Sequence, residues 1–564
     1  MSSTAQGRIG ADGLAAALRA ETDVIFGVMG HATAETLVRY LGLGGRFVPT
    51  RHESGGVGAA DGYARITGRV GVATATCGPG ITQVATAMVT ARRADTALVL
   101  VAGDLPWTDR ADHQHAFDQV RFAEAMEAIP VPVGSVASLA ADVRRAFHLA
   151  MTERRPVVLD VTTAVQADPL PEGWSYEPAP AAVAQRPMPD PDQVVVVADL
   201  LAAAHRPVIL AGRGALDPTA RAALVALADA SGALLATTMP AKGAFGGHAW
   251  NVGVSGGYSS RVADDLLGNA DLLLAVGASL HRHTTRDGRL YAGTKVVRVD
   301  TRPGPARPGQ PDEVYLRGDA AAVADALRVR LQETGRTPVQ GYRTPDTAAA
   351  LREGAWIIPP APPDGLDPRS VMAALDAALP PKAIVVVGGG HGGGFPVQYL
   401  NGARDGTFLF TNAFGAIGQT LGTAIGASVA APDRRVVVID GDGSVMMHLQ
   451  ELDTAARLVA GIVVIVMDDA AYGAELHQLR AHGLPNDSAV FADRSFADIA
   501  MALGVPGLRV DALDALPATL ADALGRSGPV LVDVSISREV MTDHYRRLHF
   551  GGANEAPHLL GPRP

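Results

Sequence analysis

Acidic residues follow two short apolar runs in the C-terminal third of the chain. Residues 434–440 (RRVVVID) precede a Gly-Asp-Gly-Ser tetrapeptide that contains Asp442, and residues 462–467 (IVVIVM) precede Asp468 and Asp469. Short β-branched runs of this kind predict buried strands. Because ligands in open α/β sheets bind beyond the carboxyl ends of the strands, we expect Asp442 and Asp469 to converge. Two carboxylates beside glycines suit a hard cation such as Mg²⁺ that is shared with a phosphate.

The segment between the two predicted strands has the spacing of an amphipathic helix. Leu449, Leu452, Ala456 and Val459 recur at helical intervals, so residues 448–460 are predicted to form one helix. The tetrapeptide alone favours a simple tight turn that is closed by hydrogen bonds to an acidic side chain. The order of strand, acidic turn, helix, strand and acidic pair is more specific than the tetrapeptide.

Length and composition limit the classes of protein that fit. A chain of 564 residues predicts roughly three domains. A net charge of −10 argues against a nucleic-acid partner. No apolar run approaches the ~20 residues of a membrane span, and the N-terminus lacks a charged-then-apolar signal sequence. The single cysteine, Cys77, excludes an internal disulfide and favours a cytoplasmic location.

Strand-like and helical runs alternate along the chain in three blocks. The fold class predicted from this alternation is α/β, with three doubly wound parallel-sheet domains. The predicted domains are residues 1–167, 193–334 and 368–540, with linkers at 168–192 and 335–367 and a C-terminal tail at 541–564. The further strand candidates are 23–28, 46–50, 70–76, 97–102, 156–161, 207–211, 233–237, 271–276 and 295–299.

The first block carries a glutamate directly after a predicted strand. Glu53 follows Arg51 and His52, and a run of small residues, AADGYAR at 59–65, comes next. An acidic residue in the first turn of a helix is favourable on electrostatic grounds alone, so Glu53 by itself indicates either a helix start or a functional carboxylate.

The combination of RHE and AADGYAR with the distal GDG motif and acidic pair resembles thiamine diphosphate (ThDP)-dependent enzymes. The sequence is most similar to the acetolactate synthase, pyruvate decarboxylase and benzoylformate decarboxylase group. CGPG at 77–80, KGAF at 242–245 and FGAIG at 414–418 extend the resemblance over nearly the whole chain. It implies pyrimidine-binding, central and diphosphate-binding domains, in that order. It also implies a lyase or transferase that cleaves or forms a carbon–carbon bond of a 2-oxo acid.

The resemblance implies a cofactor site made of ThDP and Mg²⁺. Its metal ligands would be Asp442, Asp469 and the carbonyl of Ala471. Aspartates 468 and 469 replace two asparagines of the family, and the extra charge beside a diphosphate weakens the site unless a cation compensates. Glu53 would contact N1′ of the aminopyrimidine and promote loss of the thiazolium proton, which requires a dry pocket. The implied cofactor-binding residues are Glu53, Gly78, Gly390, His391, Gly415, Ile417, Gly441, Asp442, Gly443, Ser444, Asp469, Tyr472 and Gly473.

Several residues are candidates for acid–base chemistry above the cofactor. The resemblance implies catalytic roles for Glu53, Glu475, His31, His113 and His115, and the central-domain residues His281 and His283 are further candidates. Glu475 lies six residues beyond Asp469. Loop histidines are also typical of solvated surfaces, and a glutamate at a helix start is favourable by itself.

Some properties stay open at the level of sequence. The central domain of acetolactate synthases binds FAD, but no specific flavin contact is evident here, so the sequence favours an enzyme without FAD. The resemblance implies at least a homodimer, commonly a homotetramer, because two chains share each site in the family. The substrate would be a small 2-oxo acid or an aldehyde. A 2-hydroxyacyl-CoA lyase and a catalytically inactive paralogue with a binding or regulatory role are the alternatives.

Overall fold

The computed structural model describes residues 7–109, 111, 113–179, 186–304, 313–335, 341–353, 362, 364–401 and 407–550. Within these residues the chain forms three six-stranded sheets, and the paired strands run parallel. The predicted fold class of three doubly wound parallel α/β units is therefore confirmed. None of the helices in these ranges is long and apolar enough to cross a membrane.

The first sheet contains β1 (Val24–Gly27), β2 (Arg46–Pro49), β3 (Gly71–Ala75), β4 (Leu98–Asp104), β5 (Ile129–Pro132) and β6 (Pro156–Thr162). Its helices are α1 (Gly10–Glu21), α2 (Ala34–Gly42), α3 (Glu53–Thr67), α4 (Pro79–Thr82), α5 (Ala85–Arg93), α6 (Gln119–Ala125), α7 (Leu139–Glu153) and α8 (Thr163–Ala167). The strand order is β2-β1-β3-β4-β6-β5. Because the chain changes direction across the sheet between β1 and β3, the loops after these two strands border the crevice where a ligand is expected.

The second sheet contains β7 (Pro207–Ala211), β8 (Leu234–Thr237), β9 (Asn251–Val254), β10 (Leu272–Val276), β11 (Lys295–Asp300) and β12 (Val314–Arg317). Its helices are α9 (Pro191–Ala203), α10 (Pro218–Ser231), α11 (Arg261–Gly268), α12 (Arg282–Thr285), α13 (Ala320–Glu333) and α14 (Pro345–Glu353). The order β12-β11-β10-β7-β8-β9 differs from that of the first sheet. Helix α14 lies within the predicted linker 335–367.

The third sheet contains β13 (Ile384–Val387), β14 (Phe408–Phe410), β15 (Val436–Gly441), β16 (Ile462–Asp468), β17 (Gly507–Val510) and β18 (Val530–Ser535). Its helices are α15 (Pro368–Ala378), α16 (Gly390–Tyr399), α17 (Thr420–Ala430), α18 (Asp442–Met447), α19 (Glu451–Leu458), α20 (Gly473–Ala481), α21 (Phe496–Ala502), α22 (Leu516–Gly525) and α23 (Asp543–Phe550). The order β14-β13-β15-β16-β18-β17 repeats that of the first sheet. Helix α23 lies within the predicted tail 541–564.

The helix predicted at 448–460 is shorter than expected. Helix α19 begins at Glu451 and ends at Leu458, and the separate short helix α18 precedes it. The chain is not helical at His448, where φ is −133° and ψ is 30°. Of the residues that carried the apolar spacing, Leu452 is buried in α19, whereas Leu449 and Val459 lie outside this helix and Val459 is 66% exposed. The apolar spacing also carried no information about this break.

The first and third domains share one hydrophobic core through the contact of α3 with α17. The core extends from strands of the first sheet, such as β1, to strands of the third, such as β15. Glycines let the two helix backbones approach closely: a Cβ on Gly62 would lie 2.1 Å from the carbonyl oxygen of Thr423, and one on Gly426 would lie 1.8 Å from that of Ala59. The small residues of α3 therefore serve domain packing.

Candidate active site

A buried aspartate organises the acidic turn at the end of β15. The Asp440 carboxylate accepts hydrogen bonds from the hydroxyls of Ser444 (2.6 Å) and Thr420 (2.7 Å) and from the backbone N–H of Gly441 (2.9 Å). Burial raises the pKa of Asp440 to about 6. The sequence analysis placed Asp440 in the strand and gave it no role. The signal available was an acidic residue at the end of an otherwise apolar run.

Asp442 and Asp469 converge at the carboxyl ends of β15 and β16, which pair up to the register Gly441↔Met467. Both side chains are buried. Burial first, and then the carboxylates of Asp469 and Asp468, raise the pKa of Asp442 far above its ordinary value. A divalent cation would remove this repulsion, so the pair fits Mg²⁺.

The side chains alone do not complete a metal site. No group of three His, Cys, Asp or Glu side chains suited to a metal ion occurs among the residues described. Further oxygen ligands would therefore come from the backbone and from the bound phosphates. The carbonyl oxygen of Ala471 lies 4.0 Å from the position that a Cβ on Gly443 would take, so it faces the turn that carries Asp442.

His391 is held beside the acidic pair at the start of α16. Its Nδ1 lies 3.3 Å from Oδ2 of Asp469, while its buried Nε2 has no hydrogen-bond partner. A Cβ on Gly473 would lie 2.7 Å from each of the two atoms that make this contact, so glycine leaves the space for it. A buried and unpaired nitrogen is costly, and a phosphate oxygen would satisfy it.

The remaining diphosphate-side candidates border the same crevice. Gly390 (φ +71°) and Gly415 (φ +87°) occupy the left-handed region that favours glycine. Ile417 Cγ2 lies 3.8 Å from the Cβ position of Gly390, which brings the loop after β14 to the start of α16. Ser444 accepts a hydrogen bond from the N–H of Gly418 (2.8 Å), which ties this loop to the acidic turn.

A second group of candidates lies at the carboxyl ends of the first sheet. Glu53 begins α3, and its Oε1 lies 3.7 Å from the Cβ position of Gly80. Gly78 has a left-handed φ of +62°, and its N–H donates to Oε1 of the buried Gln119 (3.2 Å). Gln119, which the sequence analysis did not single out, also donates to the Gly103 carbonyl (3.1 Å). This network fixes the turn beside Glu53.

The histidine loop rests on the same turn. The carbonyl oxygen of His115 lies 2.7 Å from the Cβ position of Gly78, and Nδ1 of His115 lies 3.7 Å from Sγ of Cys77. His113 is exposed, and its ring centroid lies 5.3 Å from that of His115. His31 is exposed in the loop after β1. The structure thus gathers Glu53 and all three histidines at one edge of the sheet.

Comparison with known proteins identifies the domains that carry the two groups of candidate residues. Three family models match the chain: the N-terminal TPP binding domain of thiamine pyrophosphate enzymes at residues 8–162, the central domain at 194–327, and the C-terminal TPP binding domain at 389–534. A probable 2-ketoarginine decarboxylase of Pseudomonas aeruginosa is 31% identical over 527 residues, 91% of each chain. The chain belongs to the thiamine pyrophosphate enzyme family. The predicted family is therefore confirmed.

Acetolactate synthases are also among the relatives of this thiamine pyrophosphate enzyme. The large subunit from Parasynechococcus marenigrum is 30% identical, with 87% of this chain and 81% of the relative covered. The large subunit from Corynebacterium glutamicum is 29% identical, with 96% and 88% covered. The similarity therefore extends over most of each chain in both a decarboxylase and a synthase.

Glu475 lies in the first turn of α20, on the C-terminal TPP binding domain, and is exposed in the single chain. Helix α23 packs on α20. Burial first, and then Tyr258 and Glu475, raise the pKa of Tyr545 on α23. Glu475 is therefore near enough to the half-buried Tyr545 to influence its pKa.

His281 and His283 lie on the central domain, at the start of α12. Their rings stack with centroids 5.1 Å apart, and burial lowers the pKa of His283. The His283 carbonyl accepts a hydrogen bond from Gly257 N–H (3.0 Å), and Gly257 borders the ring of His544 on α23. The backbone next to His283 therefore lies close to α23 of the C-terminal part of the chain.

Within one chain, the glutamate and the acidic pair belong to separate groups. Among the residues described, the Glu53 carboxylate makes no hydrogen bond or ion pair with the C-terminal TPP binding domain. The backbone of Arg51 and His52, directly before Glu53, does contact that domain, through the side chain of Glu451.

Proposed function

We propose that the protein is a ThDP- and Mg²⁺-dependent enzyme that cleaves or forms the carbon–carbon bond next to the carbonyl of a 2-oxo acid. The observation that carries the proposal is the buried Asp442–Asp469 pair, whose repulsion a divalent cation would relieve, beside the unpaired Nε2 of His391. When bound, ThDP supplies an electron sink for the carbanion left by carbon–carbon cleavage.

The chain's residues divide the work of binding between them. Asp442, Asp469 and the Ala471 carbonyl would hold Mg²⁺, and His391 would donate a hydrogen bond to the diphosphate. The two carboxylates together would offset the charge of Mg²⁺. The diphosphate would therefore be attracted less strongly than at a metal site in which one of the two ligands is an uncharged amide. A hydrogen bond from His391 to the diphosphate would partly compensate.

The edge that carries Glu53 supports the proton chemistry. A carboxyl group at N1′ of the aminopyrimidine would hold a proton there and promote loss of the thiazolium proton. His31 and the 113–115 loop lie at the same edge, and Glu475 lies beside α23. These groups would control whether the carbanion equivalent is protonated to an aldehyde or attacks a second carbonyl.

A homodimer would bring the two edges together. Glu53 does not reach the acidic pair of its own chain, and large apolar side chains are exposed around the acidic turn. They are Phe414 (48% exposed), Met446 (42%), Met447 (48%), Tyr472 (37%) and Phe491 (39%). An apolar patch of this kind beside an incomplete site fits a contact with a second copy of the chain.

The test is product analysis with a panel of 2-oxo acids that includes pyruvate and 2-ketoarginine. We expect CO₂ release that depends on added ThDP and Mg²⁺, is lost in Asp442→Ala, and persists in the exposed control Asp433→Ala. Aldehyde as the main product would identify a decarboxylase, and a 2-hydroxy ketone or acetolactate would identify a carboligase. ThDP-loaded protein that turns over none of these acids, or an Asp442→Ala variant with full activity, would refute the proposal.

A further inference from the structure

A buried carboxylate joins the two TPP binding domains within the chain. Glu451 begins α19 and is fully buried. Its side chain accepts hydrogen bonds from the backbone N–H groups of Arg51 (3.1 Å) and His52 (3.0 Å), about 400 residues earlier. The Thr454 hydroxyl donates a further bond of 2.8 Å. The carboxylate thus holds the backbone N–H groups of the two residues that immediately precede Glu53.

The packing leaves room for this carboxylate through a glycine on α3. A Cβ on Gly55 would lie 2.3 Å from Oε1 of Glu451. Burial raises the pKa of Glu451, whereas Thr454 and the N–H groups of Arg51 and His52 lower it. The ordinary helix-forming residue alanine cannot occupy position 55 unless the carboxylate moves.

Other contacts of the same corner use side chains that are more exposed. Asp453 forms an ion pair with Nε of Arg51 (2.6 Å), and Arg457 donates to the Pro49 carbonyl (2.7 Å). Arg51 is about half exposed, and pairs of this kind contribute little to stability. Of the acidic residues at this corner, Glu451 is the one that holds the backbone of residues 51 and 52.

We infer that Glu451 is a positioning residue for Glu53. Its carboxylate fixes the peptides at which β2 turns into α3, and so sets where the Glu53 side chain starts. The inference rests on the proposed function, because it assumes that Glu53 acts on the aminopyrimidine. Glu451 lies between the two domains and would act through the backbone, so no contact between Glu451 and the cofactor is proposed. A misplacement of about 1 Å at a reacting group can cost about 10²-fold in rate.

Four variants and one matched control separate this role from general stability. Glu451→Ala removes the contact, and Gly55→Ala displaces the carboxylate while leaving its chemistry intact. Glu451→Gln retains an oxygen acceptor for the two N–H groups. Its side-chain amide N–H can donate a hydrogen bond to the Thr454 hydroxyl oxygen. Asp453→Ala is the control, since it lies on the same helix and touches the Arg51 side chain instead. Glu53→Gln reports the effect of losing the glutamate itself.

Two readouts follow the position of Glu53 without substrate turnover. The first is deuterium exchange of the backbone amides at Arg51 and His52 in the protein without cofactor. The second is exchange of the thiazolium C2 proton of bound ThDP, followed by acid quench and NMR. ThDP and Mg²⁺ affinities, measured by calorimetry, show whether the C-terminal domain is intact.

We expect Glu451→Ala and Gly55→Ala to slow C2 exchange about 10- to 100-fold with cofactor affinity unchanged. Amide exchange at Arg51 and His52 rises at least about tenfold in both, since each loses a buried hydrogen bond. Glu451→Gln stays within about fivefold of wild type, and Asp453→Ala matches wild type. Should Glu451→Ala yield no soluble protein, Gly55→Ala and Glu451→Gln decide the question.

The two possible failures give different results. Wild-type C2 exchange in Glu451→Ala or Gly55→Ala, next to slow exchange in Glu53→Gln, overturns the positioning role alone. Unchanged exchange in Glu53→Gln contradicts the role of Glu53 and with it the proposed function. Equal slowing in Asp453→Ala would show a general loosening of the corner and would also overturn the role of Glu451.

Discussion

Two glycines of α3 provide a sharp test of how the TPP binding domains pack. A Cβ on Gly62 would lie 2.1 Å from the carbonyl oxygen of Thr423 on α17, which is a backbone atom that cannot rotate away. A Cβ on Gly58, one turn earlier on the same helix, would lie 3.4 Å from Cα of Gly422, which is ordinary contact. Both glycines lie on α3 and are buried, but they differ in the space that is available for a Cβ atom.

The sign of the effect of alanine is therefore expected to differ between the two positions. Alanine in place of glycine in a helix stabilises by roughly 0.5–1 kcal/mol. At Gly62 the helices must separate, and overpacking of this kind costs about 1–3 kcal/mol, so the net change is a loss of about 1–2 kcal/mol. With about 2–4 °C per kcal/mol for a domain of this size, Gly62→Ala lowers Tm by roughly 2–8 °C, while Gly58→Ala raises it by roughly 1–4 °C.

Differential scanning fluorimetry of the two variants, without cofactor and at one protein concentration, measures this difference. A double variant of Gly62→Ala and Gly58→Ala should show a Tm between those of the single variants. If Gly62→Ala proved as stable as Gly58→Ala, α3 and α17 would not pack as closely as described. If both variants lost stability equally, the distinction between the two positions would be wrong.

The other predictions concern the site and a buried cation. Asp469→Asn retains a metal ligand and removes one charge beside the diphosphate, so calorimetry should show ThDP affinity equal to or tighter than wild type; loss of binding would contradict this. Glu475→Gln should slow aldehyde release by about 10²–10⁴-fold and shift products toward carboligation when an acceptor aldehyde is present; an unchanged product ratio on chromatography would refute the role. Burial lowers the pKa of Lys242 from 10.5 to about 8, so the unfolded chain binds more protons between about pH 8 and 10, and stability should rise with pH there. Lys242→Met should flatten that rise in a Tm–pH series, and an identical slope in both proteins would contradict the burial of the charge.

Sequence reasoning succeeded where one strand or one loop decides the outcome. The apolar run that ends in Asp440 predicted β15 to within two residues, and topology then placed Asp442 and Asp469 together, because adjacent parallel strands end at the same edge. The start of α3 at Glu53 was likewise predicted from an acidic residue directly after a strand-like run. These features depend on local pattern and on the direction of neighbouring strands.

Contacts between distant segments could not be predicted in this way. Glu451 was part of an apolar helix pattern, and its partners at Arg51 and His52 lie about 400 residues away. Gly55 leaves room for the Glu451 carboxylate, and Gly473 leaves room for the contact between His391 and Asp469. Neither role is evident until the surrounding structure is known. The break at His448 and the separate short helix α18 are likewise not recorded in the hydrophobic spacing.

Calorimetric titration of ThDP into cofactor-free protein, with and without Mg²⁺, measures whether the acidic pair holds the metal and the cofactor. We expect saturable binding of ThDP that requires Mg²⁺, is lost in Asp442→Ala and is retained in Asp433→Ala. Binding of ThDP that is indifferent to Mg²⁺ and to Asp442→Ala, or no binding by the wild-type protein, would contradict the assignment of the acidic pair as the metal and cofactor site.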